Sequence, residues 1–314
     1  MSTTTPPRRR LIETSAGTSS DAFGLPEWGL FSAIAVIWGS SFLWMEVGLD
    51  HFAPGTITLA RVALGGLVLL AFPRARAPIA REDWSRVAQL GVVWTAIPLT
   101  LFPIAQQWVD SALAGMLNGA VPLMSALWAT ILLRTLPGPI QRAGLLVGFA
   151  GVVAISLPEL SGASSTATGT ALIVLATFLY GLATNIAVPL QQRYGALPVI
   201  LRVQLVATVL VAPYGLIGLR SSEWDLGAAA AMLPLGTLGT GLAFVAMTTL
   251  VGRVGSARGA IGIYVVPPVA IALGVLLRDE SVHPAALAGT VLVLGGAWLT
   301  SRAERRPVEA VTPS

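Results

Sequence analysis

The stretch Pro158–Gly169, with the sequence PELSGASSTATG, is the most polar interruption in the middle of the chain and carries a single charge, at Glu159. Five long apolar segments precede it and five follow it. Because five is an odd number of membrane crossings, two related halves joined here would cross the membrane in opposite directions. The stretch is therefore predicted to be an outside linker between two inverted halves.

The composition is that of a membrane protein. Of the 314 residues, 54% are hydrophobic and 11% are charged, and the mean hydropathy is +0.77. Soluble domains average about 25% charged residues, so a soluble globule of this sequence would lack polar surface. Ten segments of roughly 20 residues, each able to cross about 30 Å of hydrocarbon, leave only short connections. The predicted fold class is all-α and integral to the membrane, with ten transmembrane helices as two inverted five-helix repeats.

The predicted domain limits follow from these segments. A disordered cytoplasmic tail at 1–27 precedes the first repeat at 28–157; the linker at 158–169 leads to the second repeat at 170–301 and a cytoplasmic tail at 302–314. The individual spans are predicted at 28–49, 56–72, 87–109, 111–133, 143–157, 170–190, 197–219, 227–250, 256–277 and 285–301.

The positive charge indicates orientation. All 19 basic residues other than histidine are arginine. With a cytoplasmic N-terminus, most of them fall in cytoplasmic segments and only Arg220 and Arg278 fall outside, as the positive-inside rule requires. This predicts a multi-pass protein of the plasma membrane with both termini in the cytoplasm. Arginines scattered over short loops form no continuous basic stripe, so a nucleic-acid partner is disfavoured.

The two halves align at an offset of about 145 residues. Several unlike features then coincide in constant order, which is hard to obtain by accident in Gly-rich and Ala-rich helices. They are Gly144 with Gly289, Gly151 with Gly296, Ser111 with Ser256, Pro122 with Pro267 and, after a short gap, Arg61 with Arg202 and Trp38 with Tyr180. The alignment predicts an internal duplication.

Several motifs resemble the EamA-type branch of the drug/metabolite transporter superfamily. They are Trp38 to Phe42 (WGSSF), Pro54 followed by Arg61, Gly236 to Phe244 (GTLGTGLAF), and Pro268 followed twelve residues later by Glu280. The likeness covers residues 28–301 and implies ten helices in two inverted halves that carry small metabolites, often out of the cytoplasm. The family usually has an acid after the fourth helix, where this chain has Arg134, so any role of that acid does not carry over to the first half.

The sequence offers little for catalysis. Cysteine is absent, and the histidines, His51 and His283, lie in separate predicted outside loops without metal-ligand spacing. No catalytic residue, metal site or cofactor is predicted. No phosphate-binding loop ends in Gly-Lys-Ser/Thr, because lysine is absent. The alternatives to a carrier, an integral-membrane enzyme or a membrane binding or scaffold protein, do not explain the inverted repeat, which alternating-access carriers use.

Paired prolines predict a hinge. Pro122 lies near the centre of the fourth predicted span and Pro267 and Pro268 near the centre of the ninth. A proline removes the N–H that would bond the carbonyl four residues back, which frees carbonyls beside Asn118 and Tyr264. Kinks in ordinary helix bundles also use proline, and this alternative stays open.

The candidate substrate-binding residues are polar or aromatic side chains at mid-membrane depth. They are Trp38, Ser41, Asn118, Tyr180, Asn185 and Tyr264. Packing of the large rings against neighbouring helices is the alternative. Glu46 is the acid placed within a span and is the candidate for proton coupling, although a solvated acid at the outer helix end would look the same. Arg61 and Arg202 are predicted to be either structural anchors or substrate contacts.

Together these features predict a secondary transporter, an exporter of small metabolites such as amino acids or related compounds. Its predicted partners are a small-molecule substrate, the lipid bilayer and a coupling proton. The sequence does not specify an oligomeric state.

Overall fold

The computed structural model describes residues 14, 24–134, 138–160, 164–255, 259, 263 and 265–301. Every regular element in these ranges is helical. Numbered in chain order, the helices are α1 (Leu25–Leu49), α2 (Pro54–Leu70), α3 (Arg81–Ala105), α4 (Ser111–Leu133), α5 (Pro139–Leu160), α6 (Ser164–Tyr194), α7 (Ala196–Gly218), α8 (Leu226–Val254), α9 (Val266–Arg278) and α10 (Pro284–Ser301).

Most of these helices are long and apolar enough to cross a bilayer. Among the described residues seven meet both criteria, and α2, α9 and α10 contain shorter apolar helices. The prediction of an all-helical protein with apolar spans is thus confirmed for the described residues. The predicted ninth span began at Ser256, but most residues from 256 to 264, Tyr264 included, lie outside the described part of the chain.

The central connection is shorter than the predicted linker at 158–169. Helix α5 continues to Leu160 and α6 begins at Ser164, with 161–163 outside the described residues. Ser and Thr hydroxyls can bond within a helix instead of ending it. Gly169 also lets α6 approach α3, because a Cβ there would lie 3.0 Å from the Ala105 carbonyl oxygen. The polar composition of residues 158–169 predicts a loop, whereas residues 164–169 form the first turns of α6.

The main contacts join one half of the chain to the other. Helix α2 packs on α7, α5 on α10, and α4 on α9. Helix α1 contacts α8 and α9, and α6 contacts α3 and α4. The core therefore lies between residues 25–160 and 164–301 rather than within either range.

Irregular backbone occurs in both ranges, close to positions that the sequence alignment pairs. Helices α3 and α8 contain π-helical segments at Gly91–Ala96 and Leu235–Leu242. Among described residues other than glycine, the two with positive φ are Arg134 (52°) and Asp279 (54°), which follow α4 and α9 directly. Arg134 and Asp279 are aligned with each other when the two halves of the sequence are compared at the offset given above.

The hinge prolines start helical segments and do not interrupt continuous ones. Helix α4 consists of Ser111–Asn118 and Val121–Leu133, with a turn between them, and Pro122 lies in the first turn of the second segment. Pro267 and Pro268 likewise lie in the first turn of α9. A proline is tolerated there because the N–H it lacks would have no partner within the helix. The expected mid-helix kink at Pro122 is therefore a break.

The packing of α5 on α10 predicts opposite effects for two adjacent glycines. A Cβ on Gly296 would lie 2.5 Å from the Gly144 carbonyl oxygen, and one on Gly295 would meet no atom within 4 Å. Gly296→Ala must force the helix backbones apart and should lower the melting temperature of the purified protein by several degrees, since overpacking costs about 1–3 kcal/mol. Gly295→Ala, the control, should leave it unchanged or raise it slightly. Equal melting temperatures for both variants would contradict this packing.

Candidate functional site

A cavity lies near the middle of the bundle, between the two ranges. Its lining combines residues of α1, α2, α3, α4, α6 and α8. They are Trp38, Ser41, Phe42, Arg61, Phe102, Asn118, Tyr180 and Phe244. Four predicted substrate-binding residues, together with one of the two predicted intramembrane arginines, are therefore brought together from four different helices.

Aromatic side chains form most of the cavity wall. The ring of Phe244 lies 5.5 Å from Trp38 and 5.3 Å from Trp94, which packs behind it. Phe102 lies 5.5 Å from Phe42 and stacks on Tyr180 at 5.8 Å. Offset and edge-on pairs at these distances are favourable and hold each ring in place. The wall is therefore apolar and rigid.

The π-helical segment of α8 supports the polar side of the cavity. The Trp38 indole N–H donates to the Gly239 carbonyl oxygen at 2.9 Å. Thr240 donates its hydroxyl to the Leu235 carbonyl oxygen at 3.0 Å and accepts from Arg61 Nε at 3.1 Å. The irregular turn thus fixes both Trp38 and Arg61.

Arg61 lies near the middle of α2 and is 3% exposed. Besides Thr240, its guanidinium contacts the Met45 sulfur, which accepts from Nη1 at 3.0 Å. It forms no ion pair with any residue in the described ranges. Its side chain contacts Thr240 and Met45 inside the bundle and not either end of it, as an interfacial anchor would, and Arg61 is one of the residues that line the cavity.

Asn118 is the last residue before the break in α4. Its side chain is 4% exposed, and none of the described residues forms a hydrogen bond with its amide. Because Pro122 has no N–H, the Asn118 carbonyl also lacks its usual helical donor. An amide with both donors and an acceptor unused beside a cavity is suited to binding a polar group.

The other predicted polar residues lie elsewhere. Asn185 is fully buried between α6 and α4, where it donates to the carbonyl oxygens of Ser125 and Gly181, both at 2.9 Å. Arg202 donates to the carbonyls of Ala75 and Arg76, beyond the end of α2. These two side chains satisfy their hydrogen bonds within the protein, away from the cavity. Tyr264 lies outside the described residues.

Glu46 belongs to a group of charged residues and one serine at one end of the bundle. We call this group the Arg278 cluster (Glu46, Asp50, Ser111, Arg278 and Glu280). Arg278 Nε donates to Glu46 at 3.0 Å, and its two terminal nitrogens donate to the Asp50 carboxylate at 3.0 and 2.9 Å. Glu280 accepts from the Ser111 N–H at 3.1 Å and from the Ser111 hydroxyl. Burial, followed by the neighbouring Glu46, raises the pKa of Glu280 to about 7.

The opposite end is joined by the Asp83 cluster (Glu82, Asp83, Arg193 and Tyr194). The Asp83 side chain is 1% exposed and accepts from Arg193 and from the Tyr194 hydroxyl, both at 2.6 Å. Like the Arg278 cluster, this cluster links the first range of helices to the second.

With both ends joined, the cavity is small. Its volume is about 30 Å³. A single water needs at least about 10–15 Å³, so the conformation described has room for water but not for a metabolite. A metabolite requires the helices to separate.

Sequence reasoning missed Phe102, Phe244 and, apart from Glu46, the members of both end clusters. The phenylalanines resemble any other membrane-facing apolar residue. Arg278 did carry a signal, because it departs from the positive-inside pattern, and Glu280 belongs to a quoted motif. Asp83 sits in an Arg-rich loop, where an acid looks solvated.

Comparison with known proteins gives a family. Residues 27–157 and 167–302 each match the EamA-like transporter family. A probable terminal-alkyne amino-acid exporter of Streptantibioticus cattleyicolor is 30% identical, over 91% of this chain and 97% of that protein. The uncharacterized inner membrane transporter YedA of Escherichia coli K12 is 26% identical, over 82% of this chain and 84% of its own length.

A protein of known crystal structure has the same fold. It aligns with a TM-score of 0.65 at 20% identity, covering 87% of this chain and 95% of that one. The apolar helices and these relatives make the protein a multi-pass membrane protein, and they point to transport rather than catalysis. The family matches together span nearly the whole chain, which therefore belongs to the EamA-like transporter family.

Proposed function

We propose that this protein is a secondary transporter that exports small metabolites, amino acids or related compounds, by alternating access. The observation that carries the proposal is the central cavity, which residues of both halves of the chain line, in a bundle whose two ends are each joined by a cluster of cross-half contacts. A binding site at the interface of two repeats is the arrangement that alternating-access carriers use. The cell membrane is the proposed location, with both termini in the cytoplasm.

The proposed architecture is ten membrane-spanning helices in two inverted five-helix repeats. The π-helical segments of α3 and α8, the positive φ of Arg134 and Asp279, and the separate family matches of residues 27–157 and 167–302 support a duplication. The reciprocal contacts support it as well, since α1 contacts α8 and α9 while α6 contacts α3 and α4. Because each repeat has an odd number of spans, the second repeat starts on the opposite side of the membrane from the first and has the inverted orientation.

The two clusters are the proposed gates. The Arg278 cluster lies at the outer end of the bundle under the proposed orientation, and the Asp83 cluster at the cytoplasmic end. Opening one end breaks ion pairs there while the other end stays closed. The break in α4 beside Pro122 and the start of α9 beside Pro267 and Pro268 provide the proposed hinges, because backbone without helical hydrogen bonds bends at low cost.

The lining favours a small amphiphilic substrate. Aromatic rings offer contact area, while Arg61, Asn118 and Ser41 offer polar groups to one end of a molecule. Among the relatives, the protein of S. cattleyicolor is named a probable amino-acid exporter. Amino acids or compounds of similar size are therefore the proposed cargo.

Protons are the proposed coupling ion. Glu46 Oε2 is buried and has no hydrogen-bond partner in the described part of the chain. The Glu280 carboxyl lies against Glu46, and in its protonated form it would supply the missing donor. A proton shared by these two groups would favour the closed Arg278 end, and its release would favour opening.

The cavity assignment predicts weaker binding without loss of folded protein. Trp38→Ala, Asn118→Ala and Tyr180→Ala should each weaken substrate binding about tenfold, which corresponds to about 1.4 kcal/mol. Trp224→Ala, a change of an 81% exposed tryptophan, is the matched control and should have no effect. Inside-out vesicles screened with labelled amino acids measure uptake. Wild-type affinity in all three cavity variants would rule out this site, and no uptake across the panel would contradict the proposed function.

The hinge assignment predicts a different effect for Pro122→Ala. A helix without the break can still bind substrate but exchanges conformations more slowly, so turnover should fall by more than affinity. Pro284→Ala, which changes the exposed first residue of α10, is the control. Transport rates and binding in reconstituted vesicles separate the two quantities. Wild-type turnover in the Pro122 variant would exclude the hinge.

Glu280 predicts a pH dependence of stability. Its pKa is about 7 in the folded protein against an ordinary 4.5. Between these values the folded protein binds more protons than the unfolded chain, so stability falls as the pH rises from about 4.5 to 7. Glu280→Gln should remove this component. The melting temperature of the variant minus that of the wild type should therefore increase as the pH rises from about 4.5 to 7 and stay constant above pH 7.

Glu223→Gln, outside the Arg278 cluster, is the control and should keep the wild-type profile. Melting curves measured at intervals between pH 4.5 and 8.5 check the prediction. Parallel profiles for the wild type and Glu280→Gln would contradict it.

A further inference from the structure

The charge balance of the cavity is unusual for a site buried in a membrane bundle. Arg61 brings a full positive charge, because a guanidinium stays protonated under physiological conditions. Its described contacts are one threonine hydroxyl and one thioether sulfur, both neutral. The charge therefore has hydrogen bonds but no counter-ion.

No Asp or Glu carboxylate in the described part of the chain is paired with it. The cavity lining contains no Asp or Glu. The undescribed residues between Gly255 and Val265, which precede α9, contain no acid in the sequence either. The two acids on α1 are paired with other arginines, Glu27 with Arg253 and Glu46 with Arg278. Buried charges in proteins are normally paired, so the missing partner has to come from elsewhere.

The guanidinium keeps free donors for such a partner. It has five N–H groups in a planar fork, and its described hydrogen bonds use one at Nε and one at Nη1. A carboxylate matches the fork with two parallel hydrogen bonds. The Asn118 amide, which also lacks a described partner, lines the same cavity and can donate to the same group.

The rest of the lining suits an uncharged chain. Apart from Arg61, Asn118 and Ser41, the lining residues are aromatic: Trp38, Phe42, Phe102, Tyr180 and Phe244. A substrate ammonium would find ring faces, which attract cations, but no carboxylate, and it would be repelled by the positive charge of Arg61. The charge of the lining therefore favours an anion over a cation.

We propose that the substrate is a small carboxylate with an apolar chain, that Arg61 binds the carboxylate, and that an α-amino group is dispensable. This proposal rests on the proposed function and deepens it, since it specifies the chemical group of the substrate that the same cavity binds. Arg61 is then a specificity-determining residue and not an anchor of the fold.

The test uses matched probes that differ in one charged group. Norleucine carries an ammonium and a carboxylate, hexanoate lacks the ammonium, and pentylamine lacks the carboxylate. Phenylalanine, 3-phenylpropanoate and phenethylamine form a second series with the same differences. Binding to the purified full-length protein is measured by calorimetry. We expect the acids to bind with or without the amino group, and the amines to bind at least tenfold more weakly. Failure of every carboxylate to bind, or binding of amines as tight as that of acids, would overturn the proposal.

Variants of Arg61 add a readout that needs no transport. Arg61→Gln should abolish carboxylate binding, and Arg61→Lys should weaken it about tenfold because a lysine lacks the fork. Arg202→Gln, which changes the arginine outside the cavity, should keep wild-type affinity. Without ligand, Arg61→Gln should melt at the same temperature as the wild type or higher, because it removes an uncompensated buried charge. A fall of several degrees would show that Arg61 is a structural anchor.

The two proposals fail separately. Carboxylates that bind through Arg61 but are not moved across vesicle membranes would contradict the transport function and leave the binding inference intact. Transport that proceeds for amines, or at the wild-type rate in Arg61→Gln, would contradict the binding inference and leave transport intact.

Discussion

A bilayer offers no water to the backbone, so each N–H and C=O within it needs a partner inside the protein. Helices meet this requirement over most of the chain. Irregular backbone is tolerated only where protein or a cavity adjoins it, and the two clearest irregularities follow that rule. The π-helical segment Leu235–Leu242 is bound by Trp38 and Gln204 through its carbonyls at 2.9 and 2.8 Å. The break in α4 leaves the Asn118 carbonyl without its helical donor, and Asn118 lines the cavity.

The same constraint explains why the functional residues are grouped as they are. A polar side chain in the interior is tolerated if it is satisfied or if it faces a polar space. Asn185 and Arg202 are satisfied by backbone carbonyls and hold helices together. Arg61 and Asn118 are not fully satisfied and face the cavity. Hydrogen-bond accounting thus separates structural polar residues from candidate binding residues, which the sequence presents as equivalent.

Much of this fold was predictable, because apolar segment length and the positions of arginines are direct signals of membrane helices. The gathering of Trp38, Asn118 and Tyr180 was also predictable, since all three lie at mid-membrane depth in the predicted spans. The start of α6 at Ser164 was not, because Ser, Thr and Ala occur in loops and in helices alike. Phe102 and Phe244 were missed because periodicity does not distinguish a phenylalanine that faces a cavity from one that faces lipid. Nor does the sequence reveal that Asp83 is buried, since its partners lie about 110 residues away.

The contact between α5 and α10 has a mechanical consequence. Gly151 and Gly289 bring the two backbones so close that a Cβ on either would lie 2.6 to 2.7 Å from a carbonyl oxygen of the other helix. Where side chains separate two helices, changes of rotamer can absorb a small displacement, but backbone against backbone has no such compliance. Helices α5 and α10 therefore move as one stiff body. Any rotation of one half against the other must have its axis near this pair, and helices farther from it travel the longer arc.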